Sequence, residues 1–155
     1  MPDPAKRPRT LAPPPLVYVT GLILSWWLEQ IFPFGFNVGP LLRGMGWADI
    51  GAGGVLMLWA AITIWRHHTT VNPYRGASAL VTAGPFAFSR NPIYLADVWV
   101  YLGVTLLIGS YWPLVFAPLV WAIMRYGVIA HEEAHLQAKF GAAYSDYCLR
   151  VRRWI

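Results

Sequence analysis

Four long apolar stretches constrain this chain more than any other feature: Leu16 to Phe36, Ile50 to Trp65, Ile93 to Gly109 and Tyr111 to Ala130. Each comes near the roughly 20 residues that a helix needs to cross about 30 Å of hydrocarbon. The second, about 48–66 once its flanks are counted, is the shortest. The last two cannot be one helix, because Ile93 to Ala130 would run to about 57 Å at 1.5 Å per residue. Gly109, Ser110 and Pro113 therefore mark a tight turn between the arms of a helical hairpin. With 57% hydrophobic and 12% charged residues and a mean hydropathy of +0.44, the chain is too apolar for a water-soluble domain of this length. The expected fold class is all-α: an integral membrane protein with spans at about 16–36, 48–66, 93–109 and 111–130.

Four spans put both chain ends on one side, and the distribution of Lys and Arg selects that side as the cytosol. Lys6, Arg7 and Arg9 precede the first span, Arg66, Arg75 and Arg90 lie between the second and third, and Arg125, Lys139, Arg150, Arg152 and Arg153 end or follow the fourth. Only Arg43 falls on the opposite side, so an odd number of spans would carry basic groups across the membrane. The net charge of +5 is topological and makes no case for nucleic acid. A basic stretch ahead of an apolar run also fits the first two parts of a signal peptide, but Leu28-Glu29-Gln30-Ile31-Phe32-Pro33 is no small-residue cleavage site. Pro13-Pro14-Pro15 favours an extended segment, and residues 1–15 read as a cytosolic tail. Cys148, the single cysteine, falls on the reducing side and reads as a small apolar residue.

Residues 16–155 form one domain without internal repeats, in which 67–92 is the long cytosolic loop and 131–155 the C-terminal segment. Loops of this length are usually functional or disordered, and the aromatics and prolines of Val71-Asn72-Pro73-Tyr74 and Ala83-Gly84-Pro85-Phe86-Ala87-Phe88 argue against disorder. From His131 onward, Glu133, Leu136, Phe140, Tyr144 and Tyr147 continue a stripe begun at Ile129, with spacings of three and four, and predict an amphipathic helix along the cytosolic surface. Glu132, His135 and Lys139 share another, polar face, so Glu133 is expected to face the protein and Glu132 to lean towards water. The closing Arg150-Val151-Arg152-Arg153-Trp154-Ile155 reads as an interfacial anchor beside anionic headgroups.

Two patterns compete for the chemistry. His131-Glu132-Glu133-Ala134-His135 has the H-E-x-x-H form in which two imidazoles bind zinc and the glutamate serves as base. A membrane zinc protease would need a third ligand, and Asp146, Asp97, His67 and His68 are not placed in a recognisable zinc-protease pattern, so no metal is expected. The more extended pattern begins with Gly84-Pro85-Phe86-Ala87-Phe88-Ser89-Arg90-Asn91-Pro92-Ile93-Tyr94-Leu95 and closes with Glu132-Glu133, Leu136, Phe140-Gly141, Tyr144 and Tyr147. The first resembles the G-P-[FY]-x-x-x-R-[HN]-P-x-Y signature of the isoprenylcysteine carboxyl methyltransferase and phospholipid methyltransferase family, and the second its signature after the last helix. The resemblance covers about 70 residues and is to the bacterial-type integral membrane members, which implies an inner-membrane location.

That resemblance implies S-adenosylmethionine as methyl donor, bound between the hairpin, the loop before it and the helix after it. Gly84, Pro85, Phe86, Arg90, Asn91, Pro92, Tyr94, Leu95, His131, Glu132 and Glu133 are its implied contacts. Arg90, Tyr94 and Glu133 are the implied catalytic residues, and Asp97, Tyr144 and Tyr147 the implied acceptor contacts. Carboxylates at Glu132 and Glu133 suit the donor's ammonium or ribose hydroxyls, and Arg90 suits a carboxylate. Asn91 stands where eukaryotic carboxyl methyltransferases have His and cannot shuttle a proton at neutral pH. Ala96 stands where Gly commonly follows the Tyr-Leu pair.

The expected acceptor is a lipid-like or lipidated amphiphile from the membrane, offering a carboxylate, amine or thiolate. A carboxylate needs no base, whereas an ammonium must first lose a proton, with Glu133 the candidate to take it. A non-enzymatic membrane scaffold with the same hairpin would keep the topology without binding the donor.

Overall fold

The computed structural model describes residues 13–67 and 78–155. The basic residues of the expected tail (Lys6, Arg7, Arg9) and His68, Val71-Asn72-Pro73-Tyr74 and Arg75 of the expected loop lie outside them. The described chain is all-α: α1 (Pro14–Ile31), α2 (Pro40–Arg66), a 3₁₀ turn at Gly84–Ala87, α3 (Pro92–Ile108), α4 (Trp112–Phe140) and α5 (Ala142–Arg150).

Prolines set three of the helix starts. Pro40, Pro92 and Pro113 stand in the first turns of α2, α3 and α4, where a missing N–H breaks no bond and the fixed φ already suits the helix. Pro33 has the opposite effect on α1, which ends at Ile31 rather than at Phe36, because the residue before a proline is driven out of the α region. The chain then runs extended. Phe36 N donates to Gly109 O at 2.7 Å and Tyr111 N to Phe34 O at 2.9 Å, tying this linker to the α3–α4 turn. At that turn Gly109 adopts φ +70°, the left-handed cap that glycine reaches without steric cost.

α2 begins at Pro40, eight residues before the expected 48, and carries Arg43 and Asp49 within it. α4 does not stop at Ala130. It continues to Phe140 as a 29-residue helix, containing Pro118 and a π-helical stretch at Ile123–Ile129 directly ahead of the two glutamates. The amphipathic segment expected from His131 is therefore divided between the end of α4 and the short α5, with Gly141 at φ +51° between them.

α3 and α4 form the expected hairpin: Tyr101 Oη donates to Pro113 O at 2.7 Å near the turn, and Tyr94 meets Glu132 at the far end. The closest backbone approach, however, is between α2 and α3. A Cβ at Gly103 would lie 2.6 Å from Gly46 O, and one at Gly53 would lie 2.8 Å from Ala96 O. Where lipid removes the hydrophobic drive between helices, such small-residue contact is how they associate. Between α1, α3 and α4 the core is instead bulky: Val17, Tyr18, Tyr94, Tyr101, Val120, Met124, Val128 and Ile129. Among the described residues, α2 and α4 are long and apolar enough to cross a membrane, yet only 22% and 28% of their apolar windows is buried inside the protein. Their outward faces, with Leu41, Val55, Leu58 and Trp65 of α2 and Val115, Leu119 and Trp121 of α4 exposed, need lipid to cover them.

Candidate functional site

The polar residues of the two sequence patterns meet at one end of the bundle, where α3 begins, α4 ends and the C-terminus returns. Gly84 starts the approach. Its φ of +59° and its seat against α2, where a Cβ would come 2.7 Å from Thr63 Oγ1, make it a position for glycine alone. Pro85 is buried and Phe86 half-buried, and the Phe86 carbonyl accepts a 2.7 Å hydrogen bond from Tyr147 Oη. Burial raises the Tyr147 phenol to about 12, so it stays a donor at any neutral pH.

Residues 89–91 bind the returning tail. Arg90 N donates to Arg152 O at 3.0 Å, Asn91 Nδ2 to Arg153 O at 3.0 Å, and Ser89 Oγ to Arg153 O at 3.3 Å. The hydrogen-bonding capacity of Asn91 is thus spent on the backbone. The tail in turn brings in the Arg153 side chain, whose Nε and Nη2 reach Glu133 Oε1 and Oε2 at 2.8 and 2.7 Å. Such a two-pronged pair is the strong form of ionic hydrogen bond, and it raises the Arg153 guanidinium above its usual range. Arg90 Nη1 stands 3.5 Å from Glu133 Oε1 and donates to Cys148 Sγ at 2.7 Å, while its Nε is buried with no hydrogen-bond partner.

Glu132 points elsewhere. Tyr94 Oη donates to its Oε1 at 2.6 Å, so this carboxylate joins α3 to α4 and does not lean towards water as its helical face predicted. His135, assigned to the same polar face, is buried, whereas His131 is exposed. One turn beyond Tyr94, Asp97 is 9% exposed, and its Oδ2 has no hydrogen-bond partner. Leu95 is half-buried and Pro92 fully buried at the helix start. Tyr144 and Tyr147 are buried with ring centroids 6.2 Å apart, packing α5 against Leu136, Phe140 and Leu80. Burial, and then the charge of Glu133, raises the Tyr144 phenol. Among the described residues, no three His, Cys, Asp or Glu side chains group as a metal site.

The arrangement offers two neighbouring electrostatic environments. One is an ion cluster of Arg90, Glu133 and Arg153 with Cys148 beside it. The other is an acid and phenol cluster of Glu132, Tyr94 and Asp97. Arg153 was missing from the sequence-based site, and no spacing rule would find it: it stands 20 residues from Glu133 in a segment whose composition matches a membrane anchor.

The family model described as Phospholipid methyltransferase matches residues 42–143, from the first turn of α2 into α5. The cobalt-zinc-cadmium resistance protein CzcN of Cupriavidus metallidurans is 28% identical over 117 residues, covering 76% of this chain and 50% of that protein. The chain thus spans about half the length of that curated relative. No solved structure matches.

Proposed function

The chain belongs to the phospholipid methyltransferase family of membrane enzymes, and from that premise we propose that it transfers a methyl group from S-adenosylmethionine to an amphiphilic acceptor at the cytosolic surface of a membrane. The observation that carries the reading is the meeting of the two signatures, 38 residues apart, through the 2.6 Å bond from Tyr94 to Glu132. In the proposed topology α1 to α4 each cross once and both chain ends lie in the cytosol, so the site sits where a water-soluble donor and a lipid-like acceptor meet. At 1.5 Å per residue α3 spans about 26 Å and α1 about 27 Å, near the hydrocarbon thickness. α4, at about 43 Å, projects beyond it and carries the glutamates with it.

The residues present suit the donor's groups. The buried, unpartnered Arg90 Nε is a donor for its carboxylate, and Glu132 is an acceptor for its ammonium or ribose hydroxyls. Bound there, S-adenosylmethionine supplies an electrophilic methyl on a sulfonium sulfur. The protein supplies the rest. Glu133, gripped through both oxygens by Arg153, acts as an anchor that orients Arg90. That arrangement moves the role of base from Glu133 to Glu132, whose partner Tyr94 holds it in place. For an ammonium acceptor, Glu132 takes the proton before the nitrogen attacks. For a thiolate or carboxylate no proton moves, and positioning carries the acceleration. The relative's printed name concerns metal resistance, and at 28% identity over half its length it does not alter this reading.

Calorimetric titration of the detergent-solubilised protein with S-adenosylmethionine and its demethylated product tests the proposal. Micromolar binding that Arg90→Ala weakens at least tenfold is expected. Absence of binding by folded wild type would sink it.

A further inference from the structure

Asp97 is a buried carboxylate with no counterion. It is 91% buried (9% exposed), and its Oδ2 has no hydrogen-bond partner among the described residues. Burial dominates its electrostatic environment, and none of the described Arg or Lys side chains interacts with it. Its nearest ionisable neighbours are the phenols of Tyr18 on α1 and Tyr94 on α3. The guanidiniums of Arg90 and Arg153 are committed around Glu133 instead. An ionisable group within a membrane span costs a few kcal/mol unless it is paired, so a carboxylate left in this condition calls for a partner that arrives with a ligand.

Beside Tyr18 the bundle opens towards lipid. A cavity of about 280 Å³ lies between α1 and α4, lined by Val17, Thr20, Gly21, Leu24, Leu119 and Ile123 among others. Its inner wall is continuous with the core that holds Tyr18, Tyr94 and Tyr101: Val17 and Val120 belong to both, and a Cβ at Gly21 would lie 3.5 Å from Tyr101 Oη. Hydrocarbon space and an uncompensated negative group thus meet at the same tyrosines.

We infer that Asp97 is a specificity-determining residue for the acceptor: it receives a cationic or hydrogen-bond-donating headgroup while the groove between α1 and α4 takes the attached hydrocarbon chain. The inference rests on the methyltransferase reading for what happens to that acceptor, and it narrows the acceptor chemistry. An acceptor presenting a carboxylate would bring a third negative group to Asp97 and Glu132 and is selected against by repulsion. An amine-bearing amphiphile supplies the missing counter-charge.

The test uses two soluble probes of equal chain length, octylamine and octanoate, titrated calorimetrically into the detergent-solubilised full chain at pH 7 without donor. Wild type is expected to bind octylamine at least tenfold more tightly than octanoate. Asp97→Asn removes that preference and leaves affinity for S-adenosylmethionine within twofold. Thr20→Trp, at an exposed position that tolerates bulk, weakens both probes together by filling the groove. Equal binding of the two probes by wild type would overturn the inference, as would loss of donor affinity in Asp97→Asn, which would place this carboxylate in the donor site. A protein that selects octylamine through Asp97 but binds no donor would sink the methyltransferase reading alone, and one that binds donor without Asp97-dependent selectivity would sink this inference alone.

Discussion

Carboxylates close both ends of this helical bundle, but in opposite ways. At the end where α1 leads into α2, Glu29 accepts from Ser110 Oγ at 2.6 Å and from Phe34 N at 3.0 Å, and Trp112 Nε1 donates to Phe32 O at 2.9 Å. Neutral donors meet both Glu29 oxygens, and two connections are pinned together. At the other end the acids are more numerous, arginines are held among them, and two buried atoms, Arg90 Nε and Asp97 Oδ2, have no partner. A cap that serves only to hold the fold satisfies its own groups. Leaving a buried polar atom unpaired costs about 1–3 kcal/mol, and the fold carries that cost only at the end where the family's signatures meet.

Substitutions can separate the two ends. The largest expected effect is on turnover: Glu132→Gln lowers kcat/KM for methyl transfer by about 100-fold, in the range of lost acid–base or charge-positioning groups, with little change in thermal unfolding. Radiolabelled methyl incorporation measures it, and normal turnover would remove Glu132 from the chemistry. Arg153→Met comes next. It unlocks Glu133 and loosens the tail, costing about 2 kcal/mol as a charged hydrogen bond does, and weakens donor binding severalfold. Thermal unfolding in detergent together with calorimetry checks it, and a change in stability alone would make Arg153 purely structural. Glu29→Gln is the smallest and the control: about 1 kcal/mol of stability is lost while turnover stays at wild type. If Glu29→Gln impaired turnover as much as Glu132→Gln, the contrast between the ends would collapse.

Local chemistry foretold much of this. Pro92 and Gly109 bracket α3 as the sequence implies, because each acts through its own backbone: one ring without an N–H, one residue without a Cβ. Boundaries that depend on neighbours were not legible. The start of α2 at Pro40 was obscured by glycines that look unfavourable in an isolated helix, yet Gly46 and Gly53 are what allow α3 to approach. The end of α4 was placed at Ala130 because apolar character stops there, but a helix continues past the hydrocarbon when its next turns find partners, and Leu136 and Phe140 find Tyr144 and Tyr147.

The acids show the same division at atomic scale. A 100° step per residue puts Glu132 and Glu133 on different faces of one helix, and that much holds. Which face meets what is a property of the rest of the molecule. Tyr94 happens to stand opposite Glu132, and the C-terminus returns to set Arg153 on Glu133.

By itself, the sequence determined the helical class, the hairpin turn, the membership of a membrane methyltransferase family and the residues that would gather at one end, because hydropathy, proline and glycine act over a few residues. Only the tertiary structure decided which acid is anchored by arginine and which is held by a phenol, and that Asp97 is left without a partner. Pairing and burial depend on residues tens of positions apart, and no local rule carries that information.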